Sequence, residues 1–243
     1  MCQRQTELSH NLQLVQEEIV QQAILSDRDP RDIHLVAVSK THPLSDILAL
    51  HQAGQIVFGE NKVQELCSKM EEADQVPEGQ DISWHLIGTL QRNKVRFVVG
   101  KVALIHSVHS VKLIKQTERL AAEQAVSQDI LLQVNIAREA SKQGFEIEEL
   151  GEAYNFLEAC PHLRLRGLMT MAPDFENKEE ALPIFQACHA LYQDLQEVYG
   201  QEQINTLSMG MSADFHQAIA AGATHIRIGS HIFGARDYGR SND

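Results

Sequence analysis

Along the chain, short runs of apolar and β-branched residues alternate with longer stretches of helical periodicity. The runs fall at His34–Ser39, Ile56–Gly59, Trp84–Gly88, Ala103–Val108, Ile130–Ile136, Leu165–Thr170, Thr206–Met209 and His225–Gly229. Continuous apolar runs of this length read as strands buried on both faces. Between them, "PLSDILALHQAG", "NKVQELCSKMEEA" and "VKLIKQTERLAAEQA" read as helices, followed later by "EIEELGEAYNFLEAC", "KEEALPIFQACHALYQDLQEVYG" and "SADFHQAIAAGA". The stretch after the third run, "LQRNKVRFVVG", is the shortest. Ahead of the first strand, Glu7 to Ser26 makes an additional amphipathic helix, with Leu8, Leu12, Val15, Ile19 and Ala23 on one face. The Asp- and Pro-containing stretch "SDRDPRD" ends it.

Strands alternating with helices predict a parallel sheet covered by helices. Eight such units predict a single (β/α)8 TIM barrel with an extra N-terminal helix. An open doubly wound sheet is the alternative. It needs fewer strands and usually carries a glycine-rich first turn, where this chain has Ser39-Lys40-Thr41. No linker-like break divides the chain, so one domain is expected over residues 1–243, with its core at about 30–237.

Composition narrows the function classes. The 243 residues are 43% hydrophobic and 22% charged, as in ordinary globular domains. A formal charge of −12, from 21 basic and 33 acidic residues, disfavours a nucleic-acid partner. No apolar run is long enough for a membrane span, and "MCQRQTELSHNLQ" has no apolar leader segment. Cys2, Cys67, Cys160 and Cys188 form no C-x-x-C pair and read as reduced thiols of a cytoplasmic protein. Twelve histidines raise a metal site, but His106-x-x-His109 and the His225–His231 spacing lack partners at zinc-site spacing. The acidic, mixed surface is compatible with a monomer.

In a barrel the chemistry sits at the C-terminal ends of the strands. Those ends carry Lys40, then Glu60-Asn61, Gly88-Thr89, Asn135, Met169-Thr170-Met171, Ser208 to Ser212, and Arg227 to Ser230. Barrels often bind phosphate with the last two of these loops. "SMGMSADF" and "RIGSHIFG" supply glycines for close backbone approach and serine hydroxyls. Each loop alone also reads as a serine-capped turn.

Arg227 alternates with Ile226 and Ile228, which points it into the barrel, where a charge needs an acceptor partner. Lys40 is on the first strand, beside the eighth once a barrel closes. By itself it reads either as a solvated strand-end charge or as an amine at a pocket mouth. In a pocket shared with a phosphate cup, an amine near a cationic arginine and in low dielectric has a lowered pKa and is a better nucleophile toward carbonyls. That combination suits a pyridoxal phosphate site or a sugar-phosphate site of an aldolase-like enzyme.

Six tracts in order, "AVSKTHP", "FGENKVQE", "WHLIGTLQRNK", "VNIAREASKQGF", "RGLMTMAP" and "LSMGMSADFHQAIAAGATHIRIGSHIFGAR", resemble the pyridoxal phosphate homeostasis protein family. These are also described as proline synthase co-transcribed homologues. The resemblance covers about residues 8 to 237, and the family looks like the alanine racemase N-terminal domain standing alone. It implies pyridoxal 5'-phosphate as cofactor, held as a Schiff base on Lys40. Asn61 would lie beside the ring, Ser208, Gly229 and Ser230 would hold the phosphate, and Arg227 would face the pyridine nitrogen. The family often has threonine at 230, where the hydroxyl is kept, and tyrosine where this chain has Lys62.

An arginine there cannot accept the ring proton, so the ring stabilises a carbanion poorly. Alanine racemase adds a tyrosine from a second domain. Here the chain ends 13 residues after Ser230, and Tyr238 is the tail's tyrosine. The resemblance therefore implies a non-enzymatic protein of vitamin B6 homeostasis that holds or delivers the cofactor, with apoenzymes as recipients. A slow amino-acid racemase is the alternative. Lys142 is a candidate second amine for release. Trp84 reads as packing, and the basic stretch Gln91 to Arg96 as either a solvated face or an anion-attracting patch.

Overall fold

The computed structural model describes residues 3–139 and 142–234. Eight parallel strands close into a barrel in chain order. They are β1 (His34–Val38), β2 (Val57–Glu60), β3 (Ser83–Leu86), β4 (Leu104–Val108), β5 (Gln128–Gln133), β6 (Leu163–Met169), β7 (Thr206–Met211) and β8 (His225–Ile228). The helices are α1 (Gln3–Leu25), α2 (Leu44–Gln52), α3 (Val63–Ala73), α4 (Val111–Gln124), α5 (Leu150–Leu157), α6 (Leu182–Tyr199), α7 (Phe215–Ala220) and α8 (Ser230–Phe233). The short stretch after β3 is a 3-10 helix, Arg92–Phe97.

Strand alternation sorts side chains to two sides. Ala37, Phe58, Leu86, Ile226 and Ile228 pack outward under the helices in the main core. Trp84 belongs to that layer, its ring 6.2 Å from Phe58. Inside the barrel, Leu104, Leu131 and Met169 form a small separate cluster.

The closing seam pairs β1 with β8, setting Val36 opposite Arg227 and Ala37 opposite Ile228. Because α8 is a single turn, it covers little of that seam. The extra helix α1 fills the space, packing on α2, α7 and α8. Its buried face is Leu8, Leu12, Val15, Ile19 and Ala23. Arg4 Nη2 and Asn11 Nδ2 also donate to the carbonyls of Phe233 and Ile232, at 2.9 and 3.1 Å. These are the last residues of α8, whose carbonyls have no partner within the helix. Among the described residues, no helix is long and apolar enough to cross a membrane. Tyr238 lies outside the described residues.

Candidate functional site

The apolar run of β1 stops where Ser39 to His42 turns the chain. The His42 N–H donates to the Ser39 carbonyl at 3.1 Å, and Thr41 takes φ 69°. Left-handed backbone at a β-branched residue costs about 1–3 kcal/mol and persists only where neighbours enforce it. Lys40 occupies the second position of this turn and lines a cavity of about 380 Å³ at the C-terminal mouth of the barrel. Val38, Ile87, Met171 and Pro173 give the cavity apolar walls. Asn61, Lys142 and Asp174 stand on its sides, and Ser212, Asp214, Arg227, Gly229 and Ser230 on the β7–β8 side.

Arg227 is the deepest charge there, 4% exposed. Its guanidinium donates to Ser208 Oγ at 2.5 Å and to the Thr170 carbonyl at 3.0 Å. Both acceptors are neutral, and burial pushes its pKa down to about 10. Below it the polar chain continues: Ser208 Oγ lies 2.8 Å from His106 Nδ1, and His106 Nε2 lies 2.9 Å from His85 Nδ1. Burial holds His85 down at about 4 and His106 and His225 well below the usual histidine range, so all three are neutral at pH 7. Asp214 is the nearby carboxylate. Burial raises its pKa, while the Met211 N–H donates to it at 2.6 Å.

A larger depression, about 700 Å³, lies at the opposite end of the strands and includes Arg28, His34 and Tyr192. Its principal donors are already engaged. Arg28 donates to the Ile219 and Ala223 carbonyls, and Tyr192 to the Ile204 carbonyl. The smaller cavity holds the amine, the buried guanidinium and the serine hydroxyls together, so it is the candidate site. Among the described residues, no group of three or more His, Cys, Asp or Glu is arranged to hold a metal ion.

Residues 6–237 match the family model described as alanine racemase, N-terminal domain. A pyridoxal phosphate homeostasis protein of Haemophilus influenzae is 38% identical over 97% of this chain and 99% of its own length. One from Aquifex aeolicus is 40% identical over 84% of this chain and 87% of its own. The chain belongs to the pyridoxal phosphate homeostasis protein family. A solved structure of PipY from Synechococcus elongatus, with pyridoxal phosphate bound, is 37% identical. It covers 89% of this chain and 100% of its own, with TM-score 0.77.

Within this family member, the cavity gathers five of the six residues singled out in the sequence: Lys40, Asn61, Arg227, Gly229 and Ser230. The sixth, Ser208, is fully buried and does not line it. Its hydroxyl seats Arg227 instead. Ser212 lines the cavity, its Oγ accepting the Gly229 N–H at 3.3 Å. Lys142 also reaches the lining. Lys62 is exposed at the start of α3 and does not line the cavity. The basic stretch forms the 3-10 helix, where Arg92 borders separate shallow depressions. In the sequence, His106 figured only in a metal spacing and Ser212 only as a strand-end residue, and Asp214 was not singled out.

Proposed function

We propose that this chain binds pyridoxal 5'-phosphate covalently through Lys40 and holds or delivers it without catalysing a reaction of its own. One observation carries the reading. A lysine at the end of β1 and a buried arginine with two neutral acceptors line one cavity of about 380 Å³, closed on one side by the β7 and β8 loops. The donor set fits the group. A buried guanidinium with neutral partners favours an electron-rich acceptor. The hydroxyls of Ser212 and Ser230 and the close-approaching backbone at Gly229 suit a phosphate.

When bound, the cofactor supplies an aldehyde that condenses reversibly with primary amines, and an electron-withdrawing ring. Lys40 provides the amine. Asn61 would border the ring, and Ser212, Gly229 and Ser230 would hold the phosphate, with Ser208 seating Arg227 from below. Arg227 would face the ring nitrogen, and as a pure donor it cannot share a proton with it as a carboxylate does. Electron withdrawal stays weak, which supports carriage rather than turnover. Lys142 offers a second amine on the same cavity for handing the cofactor on to apoenzymes. The protein would act as a single-domain monomer in the cytoplasm, a setting that suits the free thiols at Cys67, Cys160 and Cys188.

The test is the visible spectrum of the protein loaded with pyridoxal phosphate, before and after borohydride, beside Lys40→Ala. A band that borohydride fixes on the Lys40 peptide, and that the variant lacks, supports the reading. An unchanged spectrum in the variant places the cofactor elsewhere. Incubation with L-alanine in deuterium oxide separates carriage from racemisation: α-proton exchange at an enzymatic rate overturns the non-enzymatic part.

A further inference from the structure

On the outer side of the barrel wall, behind Lys40, α3 carries a lysine where its apolar stripe predicts a hydrophobic residue. Val63, Leu66, Lys69 and Ala73 all face inward and are buried. Lys69 is 6% exposed and Glu60, at the end of β2, is 0% exposed. The Lys69 ammonium donates to Glu60 Oε1 at 2.6 Å, to Glu65 Oε1 at 2.8 Å and to the Ser39 carbonyl at 2.8 Å. These three bonds use all of its donors. Glu60 Oε1 also accepts from Ser39 Oγ at 2.7 Å, and Glu65 Oε1 accepts from the Thr41 N–H at 2.5 Å.

The cluster therefore grips the backbone on both sides of Lys40: the carbonyl of residue 39 and the N–H of residue 41. It also supplies what the left-handed Thr41 requires, an acceptor for its N–H outside the turn. We propose that Lys69, Glu65 and Glu60 are positioning residues, a buried clamp that fixes the Ser39–Thr41 turn and so aims the Lys40 side chain into the cavity. The inference rests on the reading that Lys40 anchors the cofactor.

The composition of the clamp favours direction over stability. Buried ion pairs contribute little net stability compared with apolar side chains of the same volume. Glu60 Oε2 is buried with no hydrogen-bond partner among the described residues, and burial raises the pKa of this carboxyl. An apolar residue at 69 would fill the stripe and leave the turn untied. Hydrogen bonds, unlike apolar contacts, specify the direction of the groups they join.

The test uses the full chain with Lys69→Met, Glu65→Ala and Glu65→Gln. Three quantities are measured: affinity for pyridoxal phosphate by absorbance titration, the lysines that borohydride labels by peptide mass, and amide exchange of residues 39–42 without cofactor. Lys69→Met and Glu65→Ala should weaken affinity about tenfold or more, the scale on which outer contacts tune a centre. Label should spread from Lys40 to other lysines, and exchange of the turn should rise. Glu65→Gln keeps an acceptor for Thr41 N–H and should return close to wild type. Should Lys69→Met not fold, the two Glu65 variants decide, because that side chain is partly exposed. Folded variants with wild-type affinity and label confined to Lys40 overturn the clamp. Wild-type protein that takes no label on Lys40 overturns the anchor reading itself, and the clamp with it.

Discussion

The Arg227 guanidinium donates to the Ser208 hydroxyl at 2.5 Å, beneath the cavity rather than on its lining. Ser208 within β7 and Ser212 just after it therefore have different work. Ser208→Ala removes an acceptor from a buried charge and should lower stability by about 1–3 kcal/mol. Ser212→Ala touches the cavity and should leave stability within about 0.5 kcal/mol, while weakening binding of pyridoxal phosphate. Urea unfolding and absorbance titration of the two variants check the division. Equal effects of both on binding would remove it.

The buried histidines predict acid sensitivity. His85 is held at about 4, against about 6.5 for an exposed histidine. Between those values the unfolded chain takes up a proton and the folded chain does not. The stability contributed is thus complete above about pH 6.5, falls as pH drops toward 4, and amounts to about 3 kcal/mol for this group. His106 and His225 shift in the same direction and steepen the loss. Urea midpoints at several pH values from neutral down to 4 should fall accordingly. A flat profile would show these imidazoles taking up protons in the fold as readily as in the unfolded chain.

Two glycines with positive φ separate strain from crowding. Gly167 has φ 144°, and a Cβ there would overlap the Thr206 carbonyl and press on the Tyr192 ring. Gly200 has φ 83° with nothing within 4 Å. With ψ 150° it sits where essentially only glycine goes, so Gly200→Ala should cost about 1–3 kcal/mol from backbone strain alone. Gly167→Ala should cost more than about 4 kcal/mol, because the sheet must part. Thermal unfolding of the pair measures the difference.

The N-terminal helix should matter to binding as well as to stability. Leu12→Ala, at a fully packed position, should cost about 2–5 kcal/mol. The double substitution Arg4→Ala with Asn11→Ala frees the end of α8 and should speed cofactor release. Dissociation followed by trapping released pyridoxal phosphate with a competing amine measures this. An unchanged rate would make the helix a structural strap only.

Much of this was legible in the residues. The face of α1 and the inward position of Arg227 follow directly from periods of 3.6 and 2. The serine pair shows where that logic stops. The β7–β8 register shifts between Ser208 and Met211, and Gly210 takes φ 87°. That irregularity brings Ser212 to the cavity, and strict alternation along the strand cannot reveal it. Lys69 was hidden for another reason: a lysine in a helix reads as solvated unless its carboxylate partners are known to converge on it. The single turn of α8 is too short for any period to show.

The seam between β1 and β8 also sets an order in time. Lys40 lies just after the first strand, while Arg227 lies on the last strand and Gly229 and Ser230 directly after it. A chain emerging from the ribosome thus exposes Lys40, the proposed anchor, long before the opposite wall exists. The cavity appears only when β8 docks on β1, late in synthesis, so cofactor capture would report completion of the barrel.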